Sequence, residues 1–146
     1  MIINVHAGHN PDGKVACGAI GIIRESTEAR NVKNEVIRQL KGLGHTVYDC
    51  TVDNGTSANN VLCNIVSKCN AHTADLDVSI HFNAGANDSA GNGKTTGVEA
   101  YIYSDDSKAK TFGEKVVNAI AALGFKNRGV KVNKKLYVLR KTKAPA

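Results

Sequence analysis

The chain has 146 residues, of which 42% are hydrophobic and 22% are charged, and its formal net charge is +6. This length fits one compact domain, and the composition excludes a chain that is disordered throughout, because there are enough apolar residues to form a core. No apolar run approaches the roughly 18 residues of a membrane-spanning helix, so the sequence predicts no membrane span.

Strand and helix patterns alternate along the chain. Apolar residues at every second position predict strands, and apolar residues at helical spacing predict helices. The predicted strands cover residues 2–5, 46–51, 76–83, 98–103 and 136–139, and the predicted helices cover 27–43, 58–72 and 107–123. Residues 6–23 and 84–97 are rich in loop-forming residues. The alternation predicts an α/β fold with a mixed, largely parallel sheet and helices on both of its faces.

Positive charge is concentrated at the C-terminal end. Glu114 is the last acidic residue, and nine Lys or Arg residues follow it. Such a segment suits an anionic partner, which could be nucleic acid, an anionic cell-wall polymer or a membrane surface, although a solvated surface balanced by acids elsewhere gives the same pattern. Known nucleic-acid-binding motifs are absent from the sequence and aromatic residues are few, so we expect no nucleic-acid partner.

The cysteines form no CxxC pair. They are Cys17, Cys50, Cys63 and Cys69. Met1 is followed directly by Ile2, without a basic segment and a long apolar stretch, so we expect synthesis in the cytoplasm without a signal peptide. Thiols are normally reduced in that compartment, and all four cysteines are therefore expected to be free and structural.

Two histidines are predicted near the carboxyl ends of strands. His9 follows the first strand by a few residues, and His81 lies near the end of the third. Sites of open α/β sheets lie at these ends, and two imidazoles there favour a divalent metal such as zinc, which takes three protein ligands and leaves one position open for water. Glu25 and Glu28 both stand near the start of the first helix, and the pattern alone leaves the third ligand open between them.

The residues around these candidates form short segments in a fixed order. The segments are Val5–His9, Glu28–Val32, Ser79–Ala84, Gly97–Glu99, Asn127–Lys131 and Leu136–Leu139. In this order they resemble the zinc-dependent N-acetylmuramoyl-L-alanine amidases of the amidase-3 family, and within it the catalytic domains of phage endolysins of Gram-positive bacteria. The resemblance covers essentially the whole chain and implies one catalytic domain over residues 1–146. An aspartate commonly stands in that family where this chain has His6.

The resemblance implies a Zn²⁺ ion held by His9, Glu28 and His81, and so favours Glu28 over Glu25. It implies hydrolysis, in peptidoglycan, of the amide between N-acetylmuramic acid and L-alanine. Asn83 and Glu99 follow from it as candidates for contacts with the substrate or around the metal.

The resemblance also places the catalytic glutamate of the family, the general base, beyond Ala146. The final strand and helix of the domain would then be missing as well, and we expect the 146 residues alone to hydrolyse peptidoglycan poorly. The implied protein is an endolysin or autolysin that is made in the cytoplasm and acts on the cell wall after release. The alternative is a non-catalytic module that binds anionic cell-wall polymer through the basic C-terminal segment.

Overall fold

A computed structural model describes residues 1–85, 90–91 and 96–146. The elements, in chain order, are β1 (Ile2–Ala7), α1 (Glu25–Gly42), β2 (Thr46–Asp49), α2 (Ala58–Asn70), β3 (Leu76–Ile80), β4 (Val98–Ile102), α3 (Ala109–Ala121), β5 (Asn127–Val132) and α4 (Tyr137–Lys141). Within the described ranges, none of the helices has the length and apolar character needed to cross a membrane.

The strands form two sheets, and every strand pair in them is parallel. The larger sheet has the order β2-β1-β3, with Ile2 opposite Thr46 and Ile3 opposite Leu76. The smaller sheet pairs β4 with β5. Parallel strands need long crossover connections, and helices supply them here. The predicted α/β fold with a largely parallel sheet is confirmed.

Side chains of β1 alternate between the two faces of the larger sheet, as the period of a strand requires. Ile3 and Val5 belong to an apolar cluster that includes Ala109 of α3, with α1 packed against it. Asn4 points to the other face, where its Nδ2 donates to the carbonyl of Cys69 in α2 at 3.0 Å. Helices therefore cover both faces, as predicted.

The predicted strand over Leu136–Leu139 is wrong, because this segment belongs largely to helix α4. Val138 is buried in a cluster with Val61 and Ile65 of α2. A short apolar run fits a strand and a single helical turn equally well, and here the contact with α2 decides between them.

Strand β5 was not predicted. Its sequence, from Asn127 to Val132, has no clear apolar–polar alternation. The reason is an irregularity in the pairing of β4 with β5, where the register shifts between Val98 and Ala100. Gly129 adopts a φ of 77°, the left-handed conformation that suits an inserted residue in a bulge.

Two element boundaries differ from the prediction in a way that shapes the site. Strand β3 ends at Ile80, so His81 and Asn83 lie beyond its carboxyl end rather than within it. Helix α1 begins at Glu25, two residues earlier than the apolar pattern indicated. Of the long loop predicted over residues 84–97, residues 86–89 and 92–95 lie outside the described residues.

Candidate metal centre

His9, Glu25 and His81 converge at the carboxyl ends of β1 and β3. The ligand atoms that they offer all lie within 4.8 Å of one another. Glu25 Oε1 is 3.3 Å from Nε2 of His9 and 3.0 Å from Nδ1 of His81. The two imidazole rings meet edge to face, with their centroids 5.0 Å apart. The structure thus brings together the two histidines that the sequence placed at this rim.

Glu25, and not Glu28, is the carboxylate beside these histidines. Glu28 is not in the group, and its Oε2 instead accepts a hydrogen bond from Asn31 at 3.3 Å. Because α1 starts at Glu25, that residue stands where the helix meets the rim, whereas Glu28 lies about 4.5 Å further along the helix axis. The structure therefore places Glu25 beside the histidines, rather than Glu28, which the resemblance favoured as the metal ligand.

The backbone at His9 is held in an uncommon conformation. His9 has a φ of 63°, in the left-handed region that costs a non-glycine residue on the order of 1–3 kcal/mol. Arg30 of α1 stabilises it: its Nη2 donates to the carbonyl of His9 at 2.9 Å and to that of Val52 at 3.1 Å. The same guanidinium pairs with Asp53 at 2.7 Å. One side chain thus fixes the loop after β1 to α1 and to the segment after β2.

Two glycines leave the space that the three side chains occupy. A Cβ atom on Gly8 would lie 2.5 Å from Nε2 of His81. A Cβ atom on Gly18 would lie 2.7 Å from Oε2 of Glu25 and 2.8 Å from Cδ2 of His9. Real Cβ atoms do not approach other heavy atoms so closely, so any larger residue at either position would displace part of the group.

The Glu25 carboxylate is stabilised in its ionised form. Burial raises its pKa, but the hydrogen bonds with His81 and His9, and one from the N–H of Ala19 to Oε2 at 2.9 Å, together lower the pKa well below the usual value for glutamate. A second N–H, that of Phe82, donates to Oε1 at 3.3 Å. Glu25 is therefore charged at neutral pH, which is the state that binds a metal cation.

The donor set and its spacing fit zinc. Two imidazoles and one carboxylate are a usual ligand set of catalytic zinc sites, which keep a fourth position open. Tetrahedral ligands at their usual distances from zinc lie about 3.3 Å from one another. The separations of 3.0 and 3.3 Å between Glu25 and the two histidines match this spacing.

The two other candidates, Asn83 and Glu99, contact each other. Nδ2 of Asn83 donates to Oε1 of Glu99 at 3.2 Å. Glu99 also accepts hydrogen bonds from Tyr101 at 2.9 Å, from Arg128 at 3.0 Å and from Lys131. The hydrogen bond from Lys131 is the main reason why the pKa of Glu99 falls to about 2. A carboxylate held ionised by so many donors is a poor general base at neutral pH.

The sequence did not predict that Tyr101, Arg128 and Lys131 donate hydrogen bonds to Glu99. Arg128 and Lys131 lie on β5, the strand that was not predicted. Once β5 is paired with β4, Lys131 lies opposite Tyr101. Period-two spacing on β4 then puts Glu99 and Tyr101 on one face.

His6 lies outside the metal group and is fully buried. Neither of its ring nitrogens has a hydrogen-bond partner among the described residues. Burial lowers the pKa of His6 to about 4, with a further lowering by the charge of His81, while Asp49 acts in the opposite direction. His6 is therefore neutral at pH 7.

Comparison with known proteins identifies the family. Residues 2–146 match the amidase-3 family, N-acetylmuramoyl-L-alanine amidase. An uncharacterized protein of Clostridium perfringens strain 13 is 38% identical over 147 residues, which cover 100% of this chain and 42% of that protein. An uncharacterized 38.4 kDa protein of the same species is 36% identical, with 41% of its length covered. The chain thus spans about two fifths of the length of these relatives.

Solved structures show the same fold. The catalytic domain of the CD27L endolysin, which targets Clostridia difficile, superimposes with a TM-score of 0.86 at 24% identity, over 100% of this chain and 78% of that one. The N-acetylmuramoyl-L-alanine amidase AmiC2 of Nostoc punctiforme gives 0.80 at 26% identity, over 99% and 75%. The CwlD amidase of Clostridioides difficile, solved with the GerS lipoprotein, gives 0.82 at 20%, over 99% and 78%. The family match over residues 2–146 shows that the chain belongs to the amidase-3 family of N-acetylmuramoyl-L-alanine amidases.

Proposed function

We propose that residues 1–146 form the catalytic part of a zinc-dependent peptidoglycan hydrolase that cleaves the amide between N-acetylmuramic acid and L-alanine. One observation carries the proposal: in a chain of this family, His9, Glu25 and His81 meet at one rim with the spacing of zinc ligands. The match to the amidase family supports action on the cell wall. Synthesis in the cytoplasm, followed by release, stays a prediction.

Residues of this chain would bind the metal and hold its ligands in position. His9 would bind the metal through Nε2, His81 through Nδ1, and Glu25 through its carboxylate, the fourth position being left for water. A zinc ion held by these residues would supply Lewis-acid chemistry, activating water and polarising the carbonyl of the amide. Arg30 keeps His9 in place through the backbone carbonyl, and Ala19 and Phe82 orient Glu25 through their N–H groups.

Proton transfer needs a group other than these ligands. Glu99 is unsuited to it because its hydrogen bonds keep it ionised.

Binding of an anionic wall polymer by the basic C-terminal segment stays a prediction. Two of the nine bases in that segment, Arg128 and Lys131, already form ion pairs with Glu99. The family match and the amidase structure from Nostoc punctiforme support hydrolysis, which is the function we favour.

Metal analysis of purified variants tests the zinc assignment. We expect one zinc per chain in the wild type and in Glu28→Gln, and a loss of zinc in Glu25→Gln and His81→Ala. Glu28→Gln is the matched control, since it makes the same chemical change one helical turn away. Equal zinc in all four proteins, or a loss confined to Glu28→Gln, would contradict the assignment.

A product assay tests the bond that is cut. Purified cell walls are incubated for a long period with a high concentration of the zinc-loaded protein, because residues 1–146 alone are expected to hydrolyse peptidoglycan slowly. New amino termini are then labelled and identified. Cleavage of the proposed amide releases amino-terminal alanine and no new reducing sugar. A release of reducing sugar, or of a different amino terminus, would contradict the proposal, and His81→Ala serves as the inactive control.

A further inference from the structure

A cluster of charged side chains lies on the face of β4 and β5 that turns away from α3. We call it the Glu99 cluster, and it consists of Glu99, Tyr101, Arg128 and Lys131. The opposite face of these strands packs on α3, where a Cβ atom on Gly113 would lie 3.3 Å from Cβ of Ala100 and 3.5 Å from Cγ2 of Val130. The cluster therefore lies on the face of these strands that α3 does not cover.

Asn83 links this cluster to the metal group. Its amide donates to Glu99 at 3.2 Å, and it follows His81 by only two residues. Two residues of chain span at most about 7 Å. The cluster and the candidate metal centre therefore lie along the same rim, within the length of a short peptide.

The cluster carries more positive than negative charge. Glu99 faces two cations, and the side chains of Arg128 and Lys131 are both 40% exposed. Arg128 donates to Glu99 through Nε, so its two terminal amino groups, with four N–H bonds, have no partner among the described residues. Lys131 is oriented by its ion pair with Glu99 and by the ring of Tyr101, whose centroid lies 5.8 Å from Nζ.

Glu99 thus holds two partly exposed cations side by side, and the terminal amino groups of Arg128 keep N–H donors that no described residue uses. Arginine binds carboxylates through two parallel hydrogen bonds, and a second fixed cation strengthens the attraction. The chemistry of the cluster therefore suits a carboxylate ligand.

We propose that Arg128 and Lys131 bind a free carboxylate on the peptide part of the wall substrate, close to the amide that is cut. This inference rests on the proposed function, which places the peptide at this rim. It adds a specificity element: a peptide whose carboxylate next to the alanine is amidated is bound more weakly than the free acid.

Binding of two small peptides tests the proposal without any need for catalysis. The probes are L-alanyl-D-glutamate with its γ-carboxyl capped as a methylamide, and the same compound with its α-carboxylate converted to the carboxamide. Titrations are followed by NMR of the ¹⁵N-labelled protein. We expect the free acid to bind the wild type about tenfold more tightly, as a charge-assisted pair would give, and the difference to shrink at high salt.

Three variants show whether the cluster is responsible. Lys131→Met and Arg128→Gln should each reduce the preference for the free acid, whereas Lys115→Met, which removes an exposed charge on α3, should keep it. Each cluster variant leaves one ion pair between Glu99 on β4 and a residue of β5 in place. The NMR spectrum of each variant verifies that it is folded.

Equal affinity of the wild type for both peptides, or a preference that survives in both cluster variants, would overturn the inference. The zinc content of the protein is measured independently of its preference for the free acid. Zinc binding without carboxylate preference refutes the subsite alone, whereas carboxylate preference without zinc refutes the proposed hydrolase and leaves the subsite standing.

Discussion

Gly8 provides the space in which the ring of His81 lies, and an added methyl group tests how much the metal group depends on it. A Cβ atom at this position would lie 2.5 Å from Nε2 of His81, so Gly8→Ala must shift the ring. We expect a loss of about 10–100-fold in zinc affinity, the size usual when the support of a ligand is disturbed. Competition with a chelator measures it.

Gly42→Ala is the control for this prediction. A Cβ atom on Gly42 meets nothing within 4 Å, and the residue ends α1 far from the rim. Its zinc affinity should equal that of the wild type. A normal affinity in Gly8→Ala would show that the ring can lie elsewhere without cost.

His6 makes stability depend on pH. Its pKa is about 4 in the folded protein and about 6.5 when unfolded, so between these values only the unfolded state takes up the proton. The free energy of unfolding should therefore fall as the pH is lowered from about 6.5 to about 4, by on the order of 3 kcal/mol from this residue. His81 and Asp49 are the charged groups that act on it, in opposite directions.

Denaturant unfolding at a series of pH values measures this dependence. The variant His6→Phe keeps a ring of similar size without a titrating group, and its stability should change much less across the same range. Parallel curves for the two proteins would show that His6 is not the source of the pH dependence.

The two long N-terminal helices begin in different ways, and the difference separates stability from function. Ser57 caps α2, where its side chain accepts a hydrogen bond from the N–H of Asn60 at 3.1 Å. Helix α1 has no side-chain cap at Arg24, and its first residue, Glu25, is directed to the two histidines. The start of α1 serves the site, whereas the start of α2 serves the fold.

Removal of the cap on α2 should reduce stability and leave the site intact. Ser57→Ala is expected to lower the free energy of unfolding by about 1 kcal/mol, the usual cost of a lost N-cap. Ser57→Asp should restore most of it, because aspartate caps equally well. Zinc content should stay unchanged in both, and a loss of zinc would show that α2 supports the metal group more directly than its contacts suggest.

The main helices and the order of the elements could be predicted because their apolar spacing is regular. Leu76 and Asp77, by contrast, are both buried, since helices cover both faces of the larger sheet, so alternation alone does not tell which side of β3 is exposed. Helix α4 was not predicted because its contact with α2 decides its structure. Strand β5 was not predicted because its pairing with β4 is irregular near Gly129.

The proximity of His9 and His81 could also be predicted, but the position of Glu25 beside them could not. His9 and His81 follow strands, and the rim rule for parallel sheets brings them together. The choice of Glu25 depends on where α1 begins and on Ala19, whose N–H and carbonyl both bind Glu25. These are contacts of an irregular loop, and residue spacing carries no information about them.

The four cysteines differ in burial, so their reactivity measures how tightly different parts of the molecule are packed. Cys50 and Cys69 are buried in the cluster between α2, α4 and the segment after β2, while Cys63 is exposed and Cys17 is half-buried. A thiol reagent should find four thiols after denaturation without reductant. In the native protein, Cys63 should react first, and Cys50 and Cys69 only at the rate at which the molecule opens.

Mass spectrometry of partly labelled protein assigns the order, with Cys63→Ser as the control that removes the fast phase. Labelling of Cys50 and Cys69 as fast as Cys63 would show that this cluster opens far more readily than its burial implies. Fewer than four thiols in the denatured protein would contradict the prediction that all four are free.

The parallel pairing of β1 also sets the order in which the molecule can assemble in time. Its partners are β2 and β3, and Ile2 pairs with Thr46 while Ile3 pairs with Leu76. The central strand can therefore be flanked on both sides only after these distant segments have been synthesised. Closing such long loops is slow compared with forming a hairpin. On a ribosome, His9 and Glu25 emerge well before His81, which joins them only when β3 docks. The group that we propose as the metal centre is therefore completed late in folding, as a consequence of strand order rather than of ligand chemistry.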